Sequence, residues 1–368
     1  MTIQARALTW KKTNLTALAG APPSLQPRPY VRSDGRSSVV SYAADGSGNR
    51  RIFELALEGT WIHHDLISHA AGNPAEGHTI FPYVRSDGVS AVVYLSEVGS
   101  GIMEIHELTL VNGNWLHHNL SEVTGAPFSA GGTIQGYIRA DGVTSVIYLG
   151  AETPGHIHEL ALEGGTTWTH GDLTVVAGAP TGSAAPNGSM NGYARSDGVT
   201  SVVYSCSDGE VRQLRLGTNR VWKSQTLTAD GGEPKAAGRG LFGYVRTDGT
   251  NAVVFRGKDK HLYELTQGVN GEFDVLNDLT DITGAAAAEG FVHAYNRGDA
   301  TSAVIYEGPD FHIHELALEG GIEWIHTDLT DHTNSTPGFE PVGYVRGDGS
   351  TAIVYYDGNQ QVRQLRLS

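Results

Sequence analysis

A hexapeptide close to Tyr-Val-Arg-Ser-Asp-Gly occurs seven times, with its tyrosine at Tyr30, Tyr83, Tyr137, Tyr193, Tyr244, Tyr295 and Tyr344. The successive spacings are 53, 54, 56, 51, 51 and 49 residues. A period near 50 that persists along a whole chain marks a propeller or solenoid built from one supersecondary unit. Such an array can use all 368 residues as a single domain (1–368), where length alone would suggest two or three.

The third repeat shows what the unit is. Gly136-Tyr137-Ile138-Arg139 reads as a short strand, and Ala140-Asp141-Gly142 supplies a turn. Ser145–Tyr148 is a second strand rich in β-branched and aromatic residues. Ile157–Leu162 alternates apolar and polar with period two, Gly164-Gly165 turns the chain, and Trp168–Thr174 forms a fourth strand. An Ala/Gly/Pro-rich loop leads to the next tyrosine, and no helical period interrupts the pattern.

The chain ends complete this picture. Before Tyr30 only Trp10–Thr16 matches a repeat segment, the fourth strand, while three strands follow from Tyr344 onward. The expected fold is all-β, a seven-bladed β-propeller with four antiparallel strands per blade, its last blade closed by the N-terminal strand. Closure of that kind hides sheet edges.

A formal charge of −15 argues against nucleic acid or an anionic membrane as partner. The N-terminal residues lack the apolar core of a signal peptide and no stretch approaches a membrane span, so cytoplasmic synthesis is expected, with release by another route if the protein acts outside. Cys206 is the one cysteine; it stands just past a strand end, where exposure is expected. Sequons at Asn14, Asn119, Asn187 and Asn334 read as chance without a secretory signal.

Polar residues that recur in nearly every repeat favour a multiplied binding pocket over one reaction centre. On the third strand, Glu54, Glu107, Glu159, Glu264 and Glu315 share a position, with Gln213 and Gln364 in the other two repeats. Just before them stand Phe53, His106, His158, Arg212, Tyr263, His314 and Arg363. A carboxylate beside a histidine can hold adjacent hydroxyls, as on a sugar ring, and equally suits an internal hydrogen-bonding face. All six tryptophans, Trp10, Trp61, Trp115, Trp168, Trp222 and Trp324, occupy one position, with Phe273 in the remaining repeat. An indole can lie under the C–H face of a sugar or fill the gap between neighbouring blades. At about 3.3 Å per residue, Glu107 and Trp115 sit towards opposite ends of their hairpin, so a pocket using both types must draw them from adjacent blades.

The Arg-x-Asp pair recurs in all seven repeats and is read as structural, including the two copies spelling Arg-Gly-Asp at 297–299 and 346–348. The second-strand tyrosines Tyr94, Tyr148, Tyr204, Tyr306 and Tyr355 are read as packing, because Phe255 replaces them once. His156-x-His158 and His312-x-His314 would place two imidazoles on one face of a strand, but no cysteine or clustered carboxylate completes a plausible metal set, and the other repeats lack the pair. No cofactor is expected, and no nucleophile elbow, phosphate loop or dinucleotide fingerprint is present.

The consensus Tyr-Val-Arg-Ser-Asp-Gly…Val-Val-Tyr…Ile-His-Glu-Leu-Ala-Leu…Trp-x-His-x-Asp-Leu-Thr resembles the seven-bladed bacterial lectins of the Photorhabdus lectin family over all seven repeats. More distantly it is similar to the six-bladed fungal fucose-specific lectins. The resemblance implies binding of L-fucose and related deoxy or O-methylated sugars in pockets between adjacent blades, no metal, and a homo-oligomer. Carried onto this sequence, it designates Glu107, Glu159 and Glu315 with His106, His158 and His314, and Trp61, Trp115, Trp168 and Trp324, as sugar-binding residues; Glu54 and Trp222, at the same repeat positions, complete the candidate set. The second-strand arginine of the fungal lectins is missing, and Gln213, Gln364 and Phe273 depart from the pattern, which predicts fewer than seven competent pockets.

The partners expected are fucosylated or related glycans on host cell surfaces. Two other classes compete with a lectin. An enzyme would use repeat-specific acids such as Asp259, Asp274, Asp310 and Glu340 near the central channel, and a protein-interaction scaffold would use the loops after each fourth strand.

Overall fold

The computed structural model describes residues 9–44, 48–99, 101–152, 155–180, 188–228, 234–269 and 271–368. Asn187 and the first eight residues lie outside that set. The described residues contain 28 strands in antiparallel groups of four. In repeat 1 these are Leu25–Val31, Ser37–Ala44, Arg50–Glu58 and Thr60–Asp65. Five groups form separate four-stranded sheets, while repeats 2 and 3 share an eight-stranded sheet through the pairing of Ser129 with Met103. The strand Trp10–Asn14 pairs antiparallel with Val362–Leu367, from Trp10↔Leu367 to Asn14↔Arg363, and so sits in the sheet of repeat 7.

The repeated hexapeptide makes the first hairpin. In repeat 1 the Gly35 N–H donates to Arg32 O (2.9 Å) and the Asp34 carboxylate accepts the Arg36 N–H (3.1 Å). Gly35 has φ +82°, a conformation that asks for glycine. Aspartate and glycine are thus fixed by the turn itself.

The first strands of successive repeats pack in order, from Leu25–Val31 against Glu76–Val84 round to Gly338–Val345, which packs back on Leu25–Val31. A ring of seven hydrogen bonds follows the same course. The backbone N–H after each motif arginine donates to a buried side chain that opens or immediately precedes the next repeat's second strand: Ser33 to Ser90, Ser86 to Thr144, Ala140 to Thr200, Ser196 to Asn251, Thr247 to Ser302, Gly298 to Thr351, and Gly347 to Ser37, at 2.8–3.0 Å. Small residues before the motif tyrosine let neighbouring first strands approach. A Cβ on Gly243 would fall 2.3 Å from the Tyr193 ring of the preceding repeat.

Apolar clusters lie between repeats. One joins Tyr30, Val40 and Ile52 of repeat 1 to Ile80, Tyr94, Leu108 and Trp115 of repeat 2. Second-strand Tyr94, Tyr148, Tyr204 and Tyr306 are fully buried, in keeping with a packing role. Cys206 follows its strand directly but is buried, because Val202, Leu214 and Trp222 pack around it; burial pushes the thiol up to about 12.

Short helices break the expected strand-only pattern. Leu15–Ala19, Leu66–Ala70, Leu120–Thr124, Leu173–Val176, Leu279–Thr283 and Leu329–Thr333 each follow a fourth strand. The fourth strand of repeat 3 therefore ends at Asp172, and Leu173 and Thr174 are helical. Each helix is started by an Asn or Asp whose side chain accepts the N–H three residues on, as Asp172 does from Val175 (3.0 Å). Two sequon residues, Asn14 and Asn119, are such caps, and Asn334 closes the last helix in the left-handed region. Among the described residues no helix is long and apolar enough to cross a membrane.

Candidate functional site

The third-strand glutamates meet the motif tyrosines of their own repeats. Tyr30 donates to Glu54 (2.9 Å), Tyr83 to Glu107 (2.5 Å), Tyr137 to Glu159 (3.1 Å), Tyr244 to Glu264 (2.9 Å) and Tyr295 to Glu315 (2.6 Å). The motif arginine lies on the second oxygen, 3.4 Å away at Arg85–Glu107 and Arg139–Glu159. All five carboxylates are buried. Burial raises each of them despite the arginine, and takes Glu107 to about 7. Glu54, Glu107, Glu159 and Glu315 are therefore buried against a tyrosine and an arginine of their own repeat and lie out of reach of solvent, although Glu54 Oε2 makes no hydrogen bond.

The histidines preceding them face the other way, since adjacent strand residues alternate sides. His106, His158 and His314 are buried, stack on Tyr94, Tyr148 and Tyr306 at 5.1–5.4 Å, and pair through Nδ1 with His117, His170 and His326 at 2.8–3.0 Å. Burial and the neighbouring imidazole push His106 down to about 4. The Glu–His couple read from the sequence is thus divided between two faces and does not converge on one ligand.

The tryptophans are set between repeats, and they divide by exposure. Trp61 and Trp115 are buried in the inter-repeat clusters, whereas Trp168, Trp222 and Trp324 are only half-buried. The motif arginine of one repeat lies over the aromatic of the next: Arg85 over Trp168 and Arg346 over Trp61 (both 5.9 Å), and Arg195 over Phe273 (5.3 Å). Its partner aspartate stays accessible, with Asp87 2.6 Å from Arg85 and Asp141 2.5 Å from Arg139. Between repeats 3 and 4 the exposed Arg220, two residues before Trp222, reaches Asp141 (3.4 Å) and Glu163 (3.7 Å).

At Trp168 a half-exposed indole from one repeat meets the Arg85–Asp87 pair of its neighbour, whereas Trp61 and Phe273 are buried beneath their arginines. Such a set can cover an apolar sugar face and hold hydroxyls at its edge. The arginine and aspartate were read from sequence as structural only. They do close the turn, including the pairs Arg297–Asp299 (2.7 Å) and Arg346–Asp348 (3.6 Å). Their position beside the next repeat's aromatic is a tertiary fact, signalled beforehand only by the equal period of the two motifs.

Two further clusters join histidine to carboxylates drawn from different elements. Glu152, His156 and Asp172, and separately Asp310, His312 and Asp328, place donor atoms within 4.8 Å of one another. The expectation that no clustered carboxylate completes these pairs is corrected: Glu152 and Asp310 stand just before the histidines, and Asp172 and Asp328 arrive from the next strand's end, 16 residues away.

A cavity of about 610 Å³ lies where the first strands meet, lined in part by Arg28, Arg256, Glu307 and Glu340. Glu340 pairs with Arg28 at 2.8 Å, Asp259 accepts from Tyr263 at 2.7 Å, and Asp310 sits beside His312, so these repeat-specific acids are dispersed among different partners.

No protein-family model matches the chain, and no curated protein matches it either. Solved structures do. The BP39L lectin of Burkholderia pseudomallei superposes with a TM-score of 0.61 at 13% identity, covering 97% of this chain and 94% of that one. The Aleuria aurantia lectin, described with a six-bladed β-propeller fold and a novel fucose recognition mode, superposes at 0.50 with 16% identity, covering 83% and 96%. AofleA from Arthrobotrys oligospora superposes at 0.51 with 14% identity, covering 79% and 82%. At these identities the likeness is one of fold, and it defines the chain as a β-propeller.

Proposed function

We propose that the protein is a multivalent carbohydrate-binding lectin on a single seven-bladed propeller, 1–368, of the bacterial type its repeat consensus resembles. The ring of seven inter-repeat hydrogen bonds, closed by Gly347 to Ser37, supports that blade count. So does the Aleuria lectin superposition, which covers 96% of the six-bladed chain and leaves 17% of this one, 100 minus 83, or about one blade.

The observation that carries the reading is the Arg–Asp pair set beside a half-exposed aromatic, seen at Arg85, Asp87 and Trp168, with Trp222 and Trp324 half-exposed at the equivalent position. The ligand is L-fucose or a related deoxy or O-methylated sugar, whose apolar edge suits an indole. Single pockets of this shallow kind bind weakly. Several on one rigid ring, multiplied in a homo-oligomer, raise avidity on a glycan-coated surface by roughly 10²–10⁴. The glycans engaged are those of host cells.

The direct test is a glycan array probed with the parent and with the Trp168→Ala, Trp222→Ala, Trp324→Ala triple variant. The parent binds fucosylated or methylated glycans, and the folded triple variant loses at least tenfold. Equal binding by the two would remove the aromatic groove from consideration.

A further inference from the structure

The cluster in repeat 6 has the composition and spacing of a metal site. His312 Nδ1 lies 2.8 Å from Asp328 Oδ2 and 3.5 Å from Asp310 Oδ2. Ligands bound tetrahedrally to zinc at about 2.0–2.2 Å stand about 3.3 Å apart, and the observed separations bracket that value.

An independent feature points into the same place. His314 is buried, with its side chain 4% exposed, and its Nε2 has no hydrogen-bond partner while lying 3.8 Å from Asp310 Oδ1. A buried polar nitrogen without a partner is costly and calls for a ligand. His314 Nδ1 is engaged by His326 (3.0 Å); when Nδ1 donates, Nε2 keeps its lone pair free. Asp328 is anchored through Oδ1 by the Asp331 N–H (3.0 Å), which leaves Oδ2 for the cluster.

We propose that Asp310, His312 and Asp328 bind a zinc-type divalent cation, with the unpartnered His314 Nε2 beside Asp310 on the buried side. Two carboxylates balance a 2+ charge, and mixed nitrogen and oxygen donors suit zinc better than calcium or magnesium. Asp310 is exposed and gives the ion its entry. The other repeats supply internal contrasts. In repeat 3, Glu152 is drawn onto His158 Nε2 at 2.5 Å, so the histidine nitrogen that has no partner in repeat 6 is engaged there. In repeat 5, His261 pairs with Asp278 (2.8 Å), but Asp259 is held by Tyr263 and no second histidine is present. The bound ion would tie the loop before Ile313–Glu319 to the start of the helix Leu329–Thr333.

The test uses the tag-free, metal-stripped full chain titrated with Co²⁺ and then Zn²⁺. The expected result is one equivalent of Co²⁺ with the strong visible absorption of tetrahedral coordination, displaced by Zn²⁺. Asp310→Asn, at an exposed position that leaves folding intact, weakens binding at least tenfold, while Asp259→Asn and Glu152→Gln leave it unchanged. No saturable binding, or binding that Asp310→Asn does not alter, overturns the proposal.

Discussion

Replacing Glu107 by Gln separates the charge of the buried glutamate from its shape. Glu107 has no solvent exposure, accepts from Tyr83 at 2.5 Å and lies 3.4 Å from Arg85. Burial lifts its carboxyl from an ordinary 4.5 to about 7. The folded protein therefore binds this proton more tightly than the unfolded chain does. Stability from Glu107 is fully present below about pH 4.5 and is lost as pH rises through 7. A shift of about 2.5 units corresponds to an upper figure of about 3 kcal/mol. Glutamine does not titrate, so Glu107→Gln gains on the parent by up to that amount between pH 4.5 and pH 8. With an unfolding entropy of about 2.1 cal/mol/K per residue over 368 residues, the gain is about 4 °C in Tm if the chain unfolds as one unit. The assay is thermal unfolding of both proteins across that range. Subtracting one curve from the other cancels the opposing contribution of buried histidines such as His106, whose lowered pKa costs stability as pH falls below 6.5. Repeat 7 shows that the substitution is tolerated, because Gln364 holds the position there. Parallel pH profiles for parent and variant would refute the reasoning.

Other outcomes follow from the same geometry. Ser37→Ala removes the acceptor of the Gly347 N–H at the ring closure and is expected to cost about 1–3 kcal/mol, read as a lower Tm. Gly243→Ala forces a Cβ to within 2.3 Å of the Tyr193 ring and should cost about 1–3 kcal/mol by overpacking, seen in the urea midpoint. Asp172→Ala removes the cap of Leu173–Val176 and is expected to cost about 0.5–2 kcal/mol, again by Tm.

The repeat architecture was legible because each hairpin carries local chemistry: Asp-Gly turns, β-branched second strands and a tryptophan at a fixed offset. The partner of the N-terminal strand was legible too, since Trp10–Thr16 matched only a fourth strand and repeat 7 lacked one. The capping helices were missed although Asp-Leu-Thr with a glycine or asparagine five or six residues on signals them, because helices of five residues show no period. The roles of the glutamates were harder to see. A period-two strand says that Glu107 and His106 face opposite sides, but not that the Glu107 side meets Tyr83 and Arg85 rather than solvent. Buried and half-exposed tryptophans look identical in sequence, since what distinguishes Trp61 from Trp168 is how closely the neighbouring repeat covers each ring.

The central claim is tested most directly by calorimetric titration of the full chain with L-fucose, alongside its binding to a fucosylated surface. Saturable binding with more than one site per chain, abolished at the surface by free sugar and weakened by the Trp168, Trp222 and Trp324 substitutions, is the predicted result. A folded protein that gives no heat with L-fucose and no sugar-sensitive surface binding would contradict it.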